Sequence, residues 1–437
     1  MANILFVTPY YPPEKAAPAI RISESASLLV QRGHAVTVLT TMPNYPTGVV
    51  PPEYKGHALL EEQQRGVHVV RSWSYTSPNR GFLRRILSQL SFGCLAPMLG
   101  GRAVGYPDVI IVESPPLFDA IAGRIMSWVK RCPFIFIVSD LWPASAIQLG
   151  MLRNPLLIRL AEWLEWSTYQ RAGLIWTVTA DIRKQLIRRG LSPDKVFLLT
   201  NGVDINKFYP MSREQARAEL GWDQQFTALY AGTHGLAHGL TTLLDAAKRL
   251  KDRQEAIRFV LVGDGAAKQD LIAYAHKHDL TNVQFLDPQD HEQMPTLLAA
   301  ADACLVPLRK LPLFEGALPS KMYEAMACAR PIVLGVEGEA KQLIEREAGS
   351  ALAVEPENVD ELVEALLYLA KHPAEAAVMG QRGRLFVEKY FDRELLVSKL
   401  EVQIEKLLGR ARTSQQAIET PLALQSSQTR EAVEGEA

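Results

Sequence analysis

The chain has 437 residues, 48% of them hydrophobic and 22% charged, with a formal charge of −1. That length is more than one hydrophobic core usually supports, so two or three domains are expected. The near-zero charge gives no basic field for nucleic acid, and no stretch reaches the ~20 apolar residues that span a bilayer.

The chain opens MANILFVTPYY, with no basic region ahead of its short apolar run. It reads as a first strand, Ile4 to Thr8, and not as a signal peptide. A proline-rich loop follows, then a helix through Ser27, Leu28, Leu29 and Arg32 that Gly33 closes. Ala35 to Thr40 is the next strand, which completes a βαβ unit. Arg80, Arg84 and Arg85 then precede an uncharged run, Ile86 to Gly101. This is either a helical hairpin covering a sheet or a basic-flanked apolar surface lying in a membrane interface, too short to span.

Asp108 to Glu113 and Pro133 to Asp140 are further buried strands. Ligands in doubly wound sheets bind beyond the carboxyl ends of strands, which places Asp140 for chemistry. Capping the next helix is its structural alternative. Leu174 to Thr179 and Lys195 to Thr200 continue the alternation, and Asn201 to Asp204 makes a sharp turn. Residues 205–225 are polar and irregular and read as a linker.

A second alternation starts at Phe226 to Ala231. A loop with glycines at Gly232, Gly235 and Gly239 follows, carrying His234 and His238, and then a helix. Backbone amides in such a loop can cradle phosphate, although the spacing is not GxGxxG. Phe259 to Val262 leads to Gly263, and Val283 to Leu286 contains Phe285 and Leu286. Ala303 to Val306 and Ile332 to Leu334 complete the pattern. The alternation implies α/β domains with parallel sheets, at 1–204 and 226–384. Gly383 to Leu408 reads as one helix with Leu396, Leu400 and Ile404 on one face. Residues 409–437 have the composition of a disordered tail. The four cysteines are far apart, form no CxxC pair and suit a reducing compartment.

Phe314 to Pro331, FEGALPSKMYEAMACARP, ties the second alternation together. Pro319 suits a first helical turn, where outward N–H groups and the helix dipole favour an anion. Ser320 and Lys321 add a hydroxyl and a point charge, and Glu324 follows within about one turn. A sugar nucleotide fits this: diphosphate at the helix start, ribose hydroxyls on the glutamate. An ordinary helix start with a solvated Glu and Lys fits it equally.

In order and spacing, PYYPPE, DLWP at 140–143, NGVD at 201–204, YAG at 230–232, VGDG at 262–265 and PSKMYEAMACARP at 319–331 resemble glycosyltransferase family 4. The resemblance covers about residues 3 to 408 and is closest to bacterial fucosamine-type polysaccharide and O-antigen transferases. It implies the GT-B fold, two Rossmann-like α/β domains facing a cleft, with a C-terminal helix (385–408) crossing back to the N-terminal domain. It implies a retaining transferase that uses a UDP-sugar or other nucleotide-sugar donor as substrate, without a separate cofactor. The implied acceptor is polyprenyl-diphosphate-linked, at the cytoplasmic face of a membrane.

Roles carry over residue by residue. Glu324 matches the ribose-binding carboxylate. Ser320 and Lys321, with the amides of Ala317 and Leu318, lie where diphosphate and donor sugar are held. His234 and His238 sit in the loop where many members carry Arg and Lys phosphate ligands, with Gly235 between them, so Lys321 holds more of the charge here. The first acid of the family's E-x7-E signature falls on Gly316, with Glu315 one residue early. Ala16 and Ala17 stand in place of a Gly pair, Arg21 is within reach of the diphosphate, and the uracil lies by Phe285 and Leu286, below Gly263. Asp140 falls where other members contact the donor sugar. Arg80, Arg84 and Arg85 serve the membrane or acceptor side. No Asp-x-Asp motif stands out, so no metal is expected.

Three readings compete. A sugar-nucleotide epimerase or hydrolase uses the same scaffold. A non-catalytic assembly partner is consistent with the displaced glutamate. A nicotinamide oxidoreductase lacks its GxGxxG after every strand.

Overall fold

The structure, a computed structural model, describes residues 1–45, 47–76, 82–148, 150–410 and 420–425. Arg80 and most of the 409–437 tail lie outside them. Within that tail, Leu422–Leu424 form one 3-10 turn with Leu424 buried, so this short piece is ordered where disorder was expected. The chain forms two compact units. One is built from Met1–Thr200 with the helix Arg393–Leu407, the other from Asn201–Asp392 with that 3-10 turn.

The first unit has eight strands: β1 (Asn3–Val7), β2 (Ala35–Thr41), β3 (Leu59–Gln64), β4 (Val67–Ser72), β5 (Val109–Val112), β6 (Phe134–Val138), β7 (Leu174–Thr177) and β8 (Val196–Leu198). Their order is β3-β4-β2-β1-β5-β6-β7-β8, parallel except for β3. Ile110, Ile111 and Val112 are completely buried, as the apolar run on both faces of a central parallel strand requires. The order reverses direction between β1 and β5, which opens a crevice at their carboxyl ends. The β3–β4 hairpin is absent from the sequence reading above. It turns on Arg65 (φ 51°) and Gly66 (φ 81°), a two-residue turn with both φ values positive, the turn that joins twisted strands best.

The second unit has six strands: β9 (Phe226–Ala231), β10 (Ile257–Val262), β11 (Val283–Leu286), β12 (Ala303–Pro307), β13 (Ile332–Gly335) and β14 (Ala351–Ala353). They run β11-β10-β9-β12-β13-β14, all parallel. Here the order reverses between β9 and β12.

Two expectations are corrected. The helix from 383 to 408 is two helices, Pro373–Tyr390 and Arg393–Leu407. The Phe391 carbonyl leaves the helical ladder to accept the Val203 amide at 3.0 Å, and the Phe391 side chain is buried. The second helix packs in the first unit through Leu396, Leu400 and Ile404, with Arg393 on Glu24 at 2.9 Å and Arg32 on Glu401 at 3.2 Å. Residues 205–225 are also not a loose linker. They contain the helix Arg213–Leu220, capped by Ser212, which docks in the second unit. Arg217 there is 1% exposed. It donates to the Ala300 carbonyl at 2.9 Å and to Asp302 at 2.5 Å. Asp302 also accepts from Arg213 and from the Thr227 amide, so the polar text of this stretch is a buried ion-pair network.

Arg217→Ala should destabilise the second unit by about 2–3 kcal/mol in urea unfolding. A fully stranded buried charge costs ~3–5 kcal/mol, but Arg213 and the Thr227 amide remain on Asp302. A loss below ~0.5 kcal/mol, the range of a neutral surface change, would mean the helix is not part of that domain.

Candidate active site

At the switch point of the second sheet, three segments meet: the loop after β9, the loop after β10, and the helix Lys321–Ala327 that follows β12. The β9 loop is threaded tightly under the β10 loop. Gly232 donates to the Val262 carbonyl at 2.9 Å, and His234 donates from its backbone to the Asp264 carbonyl at 2.8 Å. At Gly263 a Cβ would lie 2.0 Å from the Gly232 carbonyl oxygen, so only glycine permits this approach. The Tyr230 hydroxyl closes the loop on the Thr233 carbonyl at 2.7 Å.

Onto this frame Lys321 projects its ammonium. Nζ lies 4.1 Å from the centroid of the Tyr230 ring and has no hydrogen-bond partner among the described residues. A cation over an aromatic face is attracted to the ring, but the ring does not replace lost water. Burial accordingly lowers its pKa from 10.5 to about 7, with Glu324 pulling the other way. The two histidines are lowered as well. His238 falls to about 3 through burial and then the charge of Lys321; His234 falls to about 4 through burial and then Lys268, with Asp264 and the Val262 carbonyl opposing. Above about pH 5 both are therefore neutral and carry no charge. Lys321 is the group here whose charge an arriving anion would complete.

The expected donor residues fall as follows. His238 is half-buried with Nδ1 unpartnered. His234 is completely buried between Tyr230 and Phe285, at 5.9 and 6.2 Å between ring centroids, so it forms a wall of the site rather than its surface. Gly263 donates to the Leu286 carbonyl at 3.1 Å, which brings Gly263, Phe285 and Leu286 together. Lys268 Nζ donates to the Gly263 carbonyl and to Asp287 beside them. Glu324 sits one turn after Lys321, half-buried. Ser320 precedes that helix without a side-chain capping bond. Glu315 is exposed, and its carbonyl accepts the Glu339 amide at 2.8 Å. Gly316 and Leu318 follow in the same loop. The Ala317 amide closes a turn on the Phe314 carbonyl at 3.0 Å and is spent there.

The first unit has its own polar centre at the β1/β5 switch point. Arg21 does not extend toward a ligand. Its Nη2 contacts both oxygens of the completely buried Glu113, at 2.5 and 2.6 Å, and the Ser139 hydroxyl at 2.9 Å. Ala17 is exposed at the first turn of the Ala17–Gln31 helix. Asp140 follows β6. Burial raises its pKa, while the Ser145 hydroxyl and the Leu141 amide hold it down. Arg84 and Arg85 are exposed in the first turn of the helix Phe82–Gly100.

Sequence reasoning passed over Asp119, the first residue of the helix Asp119–Lys130. It is completely buried, and neither carboxylate oxygen has a hydrogen-bond partner among the described residues. Burial, then the nearby Glu113, hold its pKa well above the carboxylate range. An N-terminal helix position is an ordinary place for Asp, so nothing in its spacing marked it.

Comparison with known proteins agrees with this layout. A family described as glycosyl transferases group 1 matches residues 212–386, and one described as a glycosyl transferase 4-like domain matches residues 17–202. WcaI of Escherichia coli K12, named for glycosyl transfer in colanic acid biosynthesis, is 28% identical over 398 residues, 88% of this chain and 95% of its own. Sucrose-phosphate synthase from Thermosynechococcus elongatus superposes with a TM-score of 0.73 at 19% identity, over 94% of this chain and 100% of that one. HepE from Anabaena, solved with UDP-glucose, gives 0.68 at 17% identity, over 94% and 100%.

Lys321→Met tests the buried ammonium directly. Between about pH 7 and 10.5 the unfolded chain binds more protons at this site than the folded one, so wild-type stability rises with pH there. At pH 6 the Met variant should melt at least about 3 °C above wild type, the shift of ~1 kcal/mol in a domain of this size, and the gap should close toward pH 10. A variant that melts lower at pH 6 would show that the ammonium is satisfied.

Proposed function

Since the chain belongs to glycosyltransferase family 4, a family of GT-B fold, we propose that it moves a sugar from a UDP-linked donor onto a lipid-diphosphate-linked or glycan acceptor, retaining configuration. That it is a glycosyltransferase of glycan biosynthesis is the broader statement within which this reading falls. The observation that carries the reading is the unpartnered Lys321 ammonium at the β9/β12 switch point. A diphosphate supplies an anion for it, and Glu324 on the next turn takes the ribose hydroxyls. The base lies against Gly263, Phe285 and Leu286. The UDP-glucose bound by HepE supports a uridine donor.

In the transfer, the bond from C1 of the sugar to the diphosphate oxygen breaks and a bond from C1 to the acceptor oxygen forms on the same face. The acceptor's proton passes to the departing diphosphate oxygen. Such a step needs no protein nucleophile, only charge stabilisation on the leaving group and orientation of the hydroxyl. Lys321 supplies the first without a metal. Among the described residues no helix is long and apolar enough to cross a membrane.

UDP should raise the melting midpoint of the wild type more than GDP or ADP does, because only a ligand of the folded state stabilises it. Equal shifts, or none, would remove the uridine assignment. With a working donor and acceptor pair, Lys321→Ala should lower kcat by about 100-fold, the scale for losing one preorganised electrostatic contact. An unchanged kcat would take Lys321 out of the chemistry. Turnover should survive EDTA, and its loss would overturn the metal-free mechanism.

A further inference from the structure

The outer side of the first domain carries large apolar side chains where a water-facing helix ordinarily carries charge. On Asp119–Lys130, Trp128 is 82% exposed and Val129 55%. On Pro155–Arg171, Leu156 is 73%, Leu160 60% and Trp163 61% exposed. Helical spacing lines up Leu156, Leu160 and Trp163 as one stripe. The core-facing stripe of the same helix is a different set, Ala161, Leu164, Thr168 and Tyr169, so the outer stripe is not used in folding. The two helices lie side by side. Arg124 donates to the Ser167 hydroxyl at 2.8 Å, and its guanidinium lies 5.9 Å from the centroid of the Trp163 ring. Single exposed apolar residues need no explanation, but two exposed tryptophans on neighbouring helices, one of them in a stripe with two exposed leucines, do.

Its surroundings are basic. Arg153 and Arg159 are exposed beside the Leu156–Trp163 stripe, and Arg131 is exposed after Val129. Lys130 lies 4.7 Å from the ring centroid of Tyr106, itself 83% exposed. On these two helices the one exposed acid is Glu162; Asp119 is buried, and Glu165 is buried against Arg189. Tryptophan and leucine bordered by arginine and lysine is the composition of a surface that settles into a headgroup layer, apolar rings at the acyl boundary and cations among anionic headgroups.

We propose that the face made by the helices Asp119–Lys130 and Pro155–Arg171 seats the protein on an anionic lipid surface. The inference deepens the transferase reading and rests on it, because a lipid-linked acceptor is met at such a surface. A second copy of the chain is a poorer occupant, since a two-fold contact would bring the same basic rim against itself.

Flotation with vesicles tests this. The wild type should float with phosphatidylcholine vesicles containing phosphatidylglycerol, float less with phosphatidylcholine alone, and be released by salt. Trp128→Ser with Trp163→Ser, and separately Arg153→Glu with Arg159→Glu, should each lower the bound fraction about tenfold or more. Arg84→Glu with Arg85→Glu should still float. If only that last pair detaches the protein, or if neither patch variant does, the proposal is wrong. Sedimentation velocity adds a further test: a wild-type dimer that the tryptophan variant dissociates would make this face a subunit contact and overturn it. Thermal shift with UDP on the same samples separates the two readings. Patch variants that still respond to UDP show intact folding, whereas vesicle binding without any nucleotide response would fail the transferase reading and leave this one standing.

Discussion

The second domain is arranged around one side chain, Lys321, whose buried ammonium lies over the face of Tyr230 with no hydrogen-bond partner among the described residues. Burying a cation without a partner is among the more expensive things a fold can do, and the usual escape is a fall in pKa. Everything near it maintains that state. Gly263 lets the β10 loop press onto Gly232, the Tyr230 hydroxyl pins the β9 loop, and the buried ring of His234 fills the space behind. The helix that carries Lys321 is short, but Met322, Tyr323, Ala325 and Met326 are all completely buried, so it is anchored from one side and presents Lys321 and Glu324 from the other.

The first domain handles its buried charge in the opposite way. Glu113 is as deeply buried as any group in the chain, but Arg21 and Ser139 satisfy it. That pair is self-contained, whereas the Lys321 ammonium has no hydrogen-bond partner among the described residues. A satisfied ion pair stabilises one conformation, while an unsatisfied ion favours binding and costs stability until the ligand arrives. Asp119, at the start of the helix that follows β5, also has no hydrogen-bond partner on either carboxylate oxygen among the described residues.

Much of the fold was legible because parallel strands announce themselves. Runs such as VIIV and FIFIV, buried on both faces, cannot be mistaken for amphipathic helix, and β9 and β11 start and end where their apolar runs do. The β3 strand was harder to see because LLEEQQ sits at a sheet edge, half-exposed, and reads as polar text. The 205–225 stretch misled for a related reason. Its arginines look solvated until Asp302, far along the chain, is known to meet them. The site divides in the same way. Lys321, Glu324 and Gly263 are fixed by local motif and turn geometry. The engagement of Arg21, the burial of His234 and the isolation of Asp119 depend on which distant groups face them, which no local pattern records.

The central claim is that the charge on Lys321 is suppressed in the free protein and restored by a diphosphate. Titration calorimetry of UDP in buffers of different ionisation enthalpy at pH 8 measures this directly. With the free ammonium titrating at about 7, binding should take up close to ~1 proton per nucleotide, and the uptake should vanish in Lys321→Met. Binding without proton uptake, or with the same uptake in the Met variant, would contradict the account.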